Sequence, residues 1–192
     1  MKTVIIGVDP GKAGFFTAFD GKEFQFYPMP EKKIETGKLL KSGKPQMKSV
    51  FDDHGLINVV AQIKMFYPTG TTFKVFIEEV GGRGGWSATN NFNFGYTAGL
   101  QKMVLLFLDP EPTMVRPQKW QSFMRQGYNT IKKASSTGKT MVNDSKAQAL
   151  AIVENEYPQI DFRKTERSKV PDDNKIDSFL ICLYGYRTTA IG

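Results

Sequence analysis

Residues 3–8, Thr-Val-Ile-Ile-Gly-Val, form an unbroken apolar and largely β-branched run that halts at Asp9-Pro10-Gly11. A run without polar alternation suits a strand covered on both faces. The chain must then supply helices for two sides of a sheet, and with 40% of its 192 residues hydrophobic it can fill such a core. That length fits one domain, so a single domain over residues 1–192 is expected.

The rest of the pattern extends the sheet. Residues 13–19 and 23–27 read as two further strands around the turn signal Asp20-Gly21, giving an antiparallel opening. The Lys-rich stretch 31–49 shows no clear periodicity and is expected to be a solvated loop that could also touch phosphates. Leu56, Val59, Val60, Ile63 and Phe66 recur at helical spacing, and residues 73–80 return to strand character. A helix over 88–108, a short strand over 112–116, a basic connector, a helix over 145–156 and a last helix over 172–186 complete the chain. Three strands followed by alternating helix and strand define a mixed sheet flanked by helices.

Composition narrows the partners. Lys and Arg outnumber Asp and Glu by 26 to 19, a formal charge of +7 that attracts a polyanion such as nucleic acid. Cys182 is the sole cysteine, which rules out an intrachain disulfide and suits the reducing interior of a cell. No leader is expected before the first strand, and no segment reaches membrane-spanning length. Intracellular residence is therefore expected, with an organelle left open. With one His, His54, and one Cys, zinc sites are excluded, and His54 is expected on the surface at a helix start. Gly138-Lys139-Thr140 lacks the first glycine of a phosphate-binding loop, since Lys133 stands there, so no nucleotide cofactor is expected.

Four acids carry the chemistry. Asp9 ends a strand expected to be central, where an uncompensated carboxylate costs several kcal/mol. Glu78 ends the second apolar strand, in Phe76-Ile77-Glu78-Glu79-Val80, and alternation sends Glu79 to the opposite face. Asp173 and Asp177 stand four residues apart on the last helix, on the stripe that continues through Leu180, Ile181 and Tyr184. That stripe must pack on the sheet, so all four acids are expected to converge on one small volume. Such a cluster needs counter-charge, and hard divalent cations with oxygen ligands supply it: magnesium, with manganese as a substitute. Each acid also has a structural reading. Asp9 could fix the Pro10-Gly11 turn, Asp172 or Asp173 could cap the last helix, and Glu78 could pair with a lysine.

These motifs, in order along nearly the whole chain, resemble those of the RuvC-like Holliday junction resolvases, and specifically their phage branch. Ile6-Gly7-Val8-Asp9-Pro10-Gly11 resembles the family's first motif and Phe76-Ile77-Glu78-Glu79-Val80 its phage-type second, which selects Glu78 as ligand. Ser87-Ala88-Thr89-Asn90-Asn91-Phe92-Asn93-Phe94-Gly95 and Arg116-Pro117-Gln118-Lys119-Trp120-Gln121 look like phage-type segments too. Asp173-Asn174-Lys175-Ile176-Asp177 is similar to the closing helix, with its acids four apart as in the phage group, where the bacterial enzymes space them by three.

The resemblance implies an RNase H-like fold with a five-stranded mixed sheet. It implies a nuclease that makes paired nicks in four-way DNA junctions by a two-metal mechanism and leaves 5′-phosphate and 3′-hydroxyl ends. Asp9 would bridge both ions, with Glu78, Asp173 and Asp177 completing the shells. It further implies a homodimer joined through the helix over 88–108 and, if phage-encoded, residence in a bacterial host's cytoplasm.

For DNA, the basic residues Lys32, Lys33, Lys38, Lys41, Lys119, Arg125, Lys132, Lys133, Lys139, Arg163, Lys164, Arg167 and Lys169 are candidates for phosphate contacts. The glycine-rich stretch 81–85 would bring Arg83 and Trp86 beside the metals, with Trp86 either a base-stacking wedge or a core or dimer contact. Phe92, Phe94 and Tyr96 are expected to be packing residues, and Trp120 and Cys182 core. Two rivals share these features: another RNase H-fold nuclease acting on flaps, forks or RNA:DNA hybrids, and a non-catalytic junction-binding protein.

Overall fold

The structure, a computed structural model, describes residues 2–82 and 84–190, with the side chain of residue 190 left aside. The apolar run forms β1 (Thr3–Asp9), buried along most of its length. It pairs antiparallel with β2 (Phe15–Phe19), which pairs antiparallel with β3 (Phe24–Pro28). On its other side β1 runs parallel to β6 (Thr72–Glu78), and β6 to the short β7 (Thr113–Val115). The result is the expected five-stranded mixed sheet, in the order β3-β2-β1-β6-β7.

Strand alternation divides the core in two. Val4, Ile6 and Val8 of β1, with Phe73, Val75 and Ile77 of β6, pack against Leu56, Val60 and Ile63 of α1 (Asp53–Phe66) and Leu105 of α2 (Ala88–Leu105). On the opposite face Ile5 and Phe76 meet Trp120 of α3 (Pro117–Met124), Ile152 of α4 (Ser145–Glu156) and Phe179 of α5 (Asp173–Ala190). Trp120 and Cys182 are core, as expected, and His54 is exposed in the first turn of α1. Gly7 sets how closely α5 approaches, since a Cβ there would lie 2.4 Å from the Ser178 carbonyl oxygen and 2.2 Å from the Cys182 nitrogen. No described helix is long and apolar enough to cross a membrane.

Three expectations are corrected. The stretch 31–49 is not a loop but most of a β-hairpin, β4 (Glu31–Leu39) paired with β5 (Pro45–Phe51) as a separate two-stranded sheet. Its cross-strand hydrogen bonds, Gly37 at the register shift inside β4 and Gly43 in the turn, at φ +74° and +77°, form it without an apolar face. The basic connector contains α3 and a second small hairpin, β8 (Lys132–Ala134) with β9 (Met141–Asn143), too short to leave a periodic signal. Phe92 and Tyr96 do not pack into the core: they are 72% and 55% exposed, stacked on each other at 6.3 Å on the outer face of α2.

Candidate active site at the end of the parallel strands

β1 and β6 end together. Val8 is in register with Ile77, so the next residues, Asp9 and Glu78, close the two strands side by side. Alternation gives their direction. Asp9 follows Ile5 and Gly7 on the face covered by α5, and Glu78 follows Phe76 on that same face. Glu79 turns the other way, where its carboxylate accepts from Arg116 Nε at 3.3 Å.

Helix α5 delivers the third group. Close packing over Gly7 and the buried hydrogen bond between Thr17 Oγ1 and Ser178 Oγ, 2.8 Å, fix the turn that carries Asp177. Burial, then the negative charges of Glu78 and Asp173, push the Asp177 carboxyl up to about 7, against the pull of Lys146 and Arg125. The charge of Glu78 is thus felt at Asp177 across the gap between strand and helix. Asp172 serves as the helix cap, accepting from the Asn174 and Lys175 backbone N–H groups at 3.0 and 3.1 Å, which leaves Asp173 for other work.

Asp173 is taken by Lys146. The Lys146 ammonium donates to the Asp173 carboxylate, and this hydrogen bond holds the lysine above its ordinary pKa. Lys146 also lines a small pocket with Asp177, Arg125, Trp120 and Met124. Sequence reasoning missed it. The available signal was its place three residues before the buried Ala149 on α4, on the side that meets α5.

The four acids share one end of the sheet, yet more loosely than the sequence leads one to expect. Among the described residues, no three His, Cys, Asp or Glu side chains are gathered so as to hold a metal ion. Like charges repel at short range, and Asp173 leans to Lys146 instead. The donor set remains four carboxylates, hard oxygen ligands of the type magnesium prefers, and a carboxyl raised to about 7 beside two other acids is a place where added positive charge is favoured.

The turn that follows Asp9 is also anchored. Buried Gln101 of α2 holds both backbone groups of Gly11, accepting from its N–H and donating to its carbonyl, each at 3.3 Å.

The expected DNA contacts divide into several kinds. Arg125 lies in the Asp177 pocket. Lys119, Lys132, Lys139, Lys164, Arg167 and Lys169 are exposed, as are Lys33, Lys38 and Lys41 on the β4–β5 hairpin and its turn. Lys32, Lys133 and Arg163 already have acidic partners: Asp53 at 2.8 Å, Asp144 at 3.1 Å and Asp161 at 2.7 Å. Trp86 is 42% exposed and meets Phe94 edge-on at 5.7 Å, so it is not core. Arg83 lies outside the described residues.

No family model matches the chain, and no curated protein matches it. Solved structures do. One is Thermus thermophilus RuvC, at 14% identity over 98% of this chain and 96% of that one, with a TM-score of 0.49. Another is T. thermophilus RuvC in complex with Holliday junction substrate, at 9% identity over 99% and 96%, with a TM-score of 0.50. At such identity the likeness speaks to the fold. The order of strands, the helices on both faces and the near-complete overlap with the second structure establish a RuvC-like, RNase H-type α/β fold for this chain.

Proposed function

We propose that this chain is a magnesium-dependent endodeoxyribonuclease that resolves four-way DNA junctions by paired nicks, acting as a single domain of the phage-type RuvC class. The observation that carries the reading is Asp177: a carboxyl in a small pocket that it shares with Arg125 and Lys146, pushed up to about 7 by burial and by Glu78 and Asp173. A fold can tolerate such a group where a cation relieves it in the working state. Asp9, Glu78, Asp173 and Asp177 would hold two magnesium ions, with manganese as a substitute. Bound there, magnesium supplies Lewis-acid polarisation of the scissile phosphate and activation of the attacking water, consistent with 5′-phosphate and 3′-hydroxyl products.

The chain's own residues do the rest. Lys146 and Arg125 put positive charge beside Asp177, where a phosphate oxygen can be met. Gln101 holds Gly11, and so the backbone that follows Asp9, against α2. The neighbour's crystallised partner, a Holliday junction, supports branched DNA as the substrate. Two identical sites on a fourfold-branched substrate call for a twofold dimer, and the apolar outer face of α2 supports its placement there.

Asp9→Asn tests the assignment. Junction nicking with magnesium should fall by roughly 10³-fold or more, the size of several kcal/mol of lost charge stabilisation. Gel-shift affinity should persist, because the basic surface is untouched. Turnover retained by the variant would contradict the role given to Asp9.

The looseness of the acid cluster favours one other reading, a junction-binding protein without catalysis. A cleavage assay with magnesium separates the two.

A further inference from the structure

The β4–β5 hairpin leaves the sheet at the candidate active site. Asp9 is paired with Phe15, and Phe15 with Pro28, the last residue of β3, so the chain enters the hairpin along the edge that Asp9 occupies. The return is tied to that edge as well. Lys12, in the turn after Asp9, donates from Nζ to the Ser49 carbonyl at 3.1 Å, and the Asp52 N–H bonds to the Pro30 carbonyl at 3.0 Å. At about 3.3 Å per residue, the ribbon can reach roughly 30 Å from this anchor.

Its charge is concentrated outward. Residues 31–51 hold six lysines and two glutamates, a net of +4 out of the chain's +7. Glu31 lies at the base, where Lys32 is also neutralised by Asp53, and Glu35 stands mid-strand opposite Met47. Every residue from 37 to 48 is exposed, and this stretch carries Lys38, Lys41, Lys44 and Lys48 with no acid among them. None of these four forms an ion pair among the described residues. An isolated two-stranded ribbon is marginal in water, and this one also exposes Leu39 by 71% and Leu40 by 48% at its turn. A second surface laid against it would add to its stability.

We propose that the β4–β5 ribbon is an arm that grips the phosphate backbone of one duplex arm of the DNA substrate, on the order of nine base pairs out from the cleavage site. The proposal rests on the nucleic-acid part of the function proposed above. Charge complementarity identifies the partner: three uncompensated ammonium groups, those of Lys38, Lys41 and Lys44, at the end of a ribbon rooted beside the carboxylates, with Lys48 part-way along it, suit a polyanion running outward from the site. The rival explanation is that lysines on exposed strands guard against edge-to-edge pairing of chains.

The test uses the full chain in EDTA, where no cutting occurs, and labelled four-way junctions with arms of either 6 or 25 base pairs. The variant neutralises the tip: Lys38→Gln, Lys41→Gln and Lys44→Gln together. Circular dichroism and sedimentation check its fold and assembly. On long arms, neutralisation should weaken binding roughly tenfold or more near 0.1 M salt and reduce the slope of log K against log salt by about 3. On short arms, wild type and variant should bind alike, and arginine at the same three positions should restore the long-arm affinity. Equal slopes on long arms overturn the proposal, as does an equal loss on both arm lengths. Unchanged binding with increased self-association would establish the guarding role in its place. If the wild type shows this ribbon-dependent binding yet never nicks DNA with magnesium, the ribbon stands and the nuclease reading falls. If the wild type binds no junction, both fall.

Discussion

Asp177 is where sequence pattern, packing and chemistry meet most sharply. Its carboxyl binds a proton more tightly in the folded chain, about 7, than in the unfolded one, near 3.8. Stability contributed through it is therefore full below about pH 4 and is lost as pH rises toward 7. For a half-buried group that loss is on the order of 2 kcal/mol after solvent screening. With chelator present, Asp177→Asn should raise Tm at pH 7.5 by about 4–8 °C, and the gain should shrink toward zero near pH 4, as read by calorimetry. No gain at pH 7.5 would mean that the group carries no such burden. The lowered carboxyls do not blur the window. Asp20, held near 2 by Lys2, and Asp161, held near 2 by Arg163, contribute above pH 4 and lose that contribution only between about 4 and 2. Asp9, Glu78 and Asp177 were legible because two strands stop on acids and helical spacing set the third above them. Lys146 was not, since one lysine among 26 basic residues has no local mark until α4 is seen beside α5.

At the level of elements, α5 and α2 make the clearest demands. Gly7→Ala would drive a methyl group into the α5 backbone at Ser178 and Cys182, lifting the helix from β1. A cost of about 3 kcal/mol is expected, seen as a lower urea midpoint, together with loss of any activity that depends on Asp177. Helix α2 has two apolar sides. Thr97, Gln101 and Leu105 are buried, while Phe92, Tyr96 and Met103 line the outside at helical spacing, with the Cβ positions of Gly95 and Gly99 open to approach. Phe92→Glu with Tyr96→Glu should convert a dimer to a monomer in light scattering; an unchanged mass would remove α2 from the interface. A helix was readable here despite its Asn and Gly content, but which side met the core was not, because the buried side carries the polar Thr97 and Gln101 and the outer side the aromatics. The β4–β5 hairpin left no trace for a related reason. Strand signals come from burying one face, and this ribbon buries neither.

For the whole molecule, the fold was legible because the long apolar strands and amphipathic helices each bury a face, and their order admits few sheets. The details that escaped, the two hairpins and α3, are short or solvated, and their form is set by backbone pairing and turn glycines more than by hydrophobic pattern. The same division holds for the site. Strand ends and helix register brought the acids to one edge, while side-chain partners decided how closely they gather. The most direct measurement is incubation of an end-labelled four-way junction with the full chain and magnesium. Two symmetric nicks, lost with EDTA and restored by manganese, are the expected result. Tight junction binding with no nick under either metal would contradict the account at its centre.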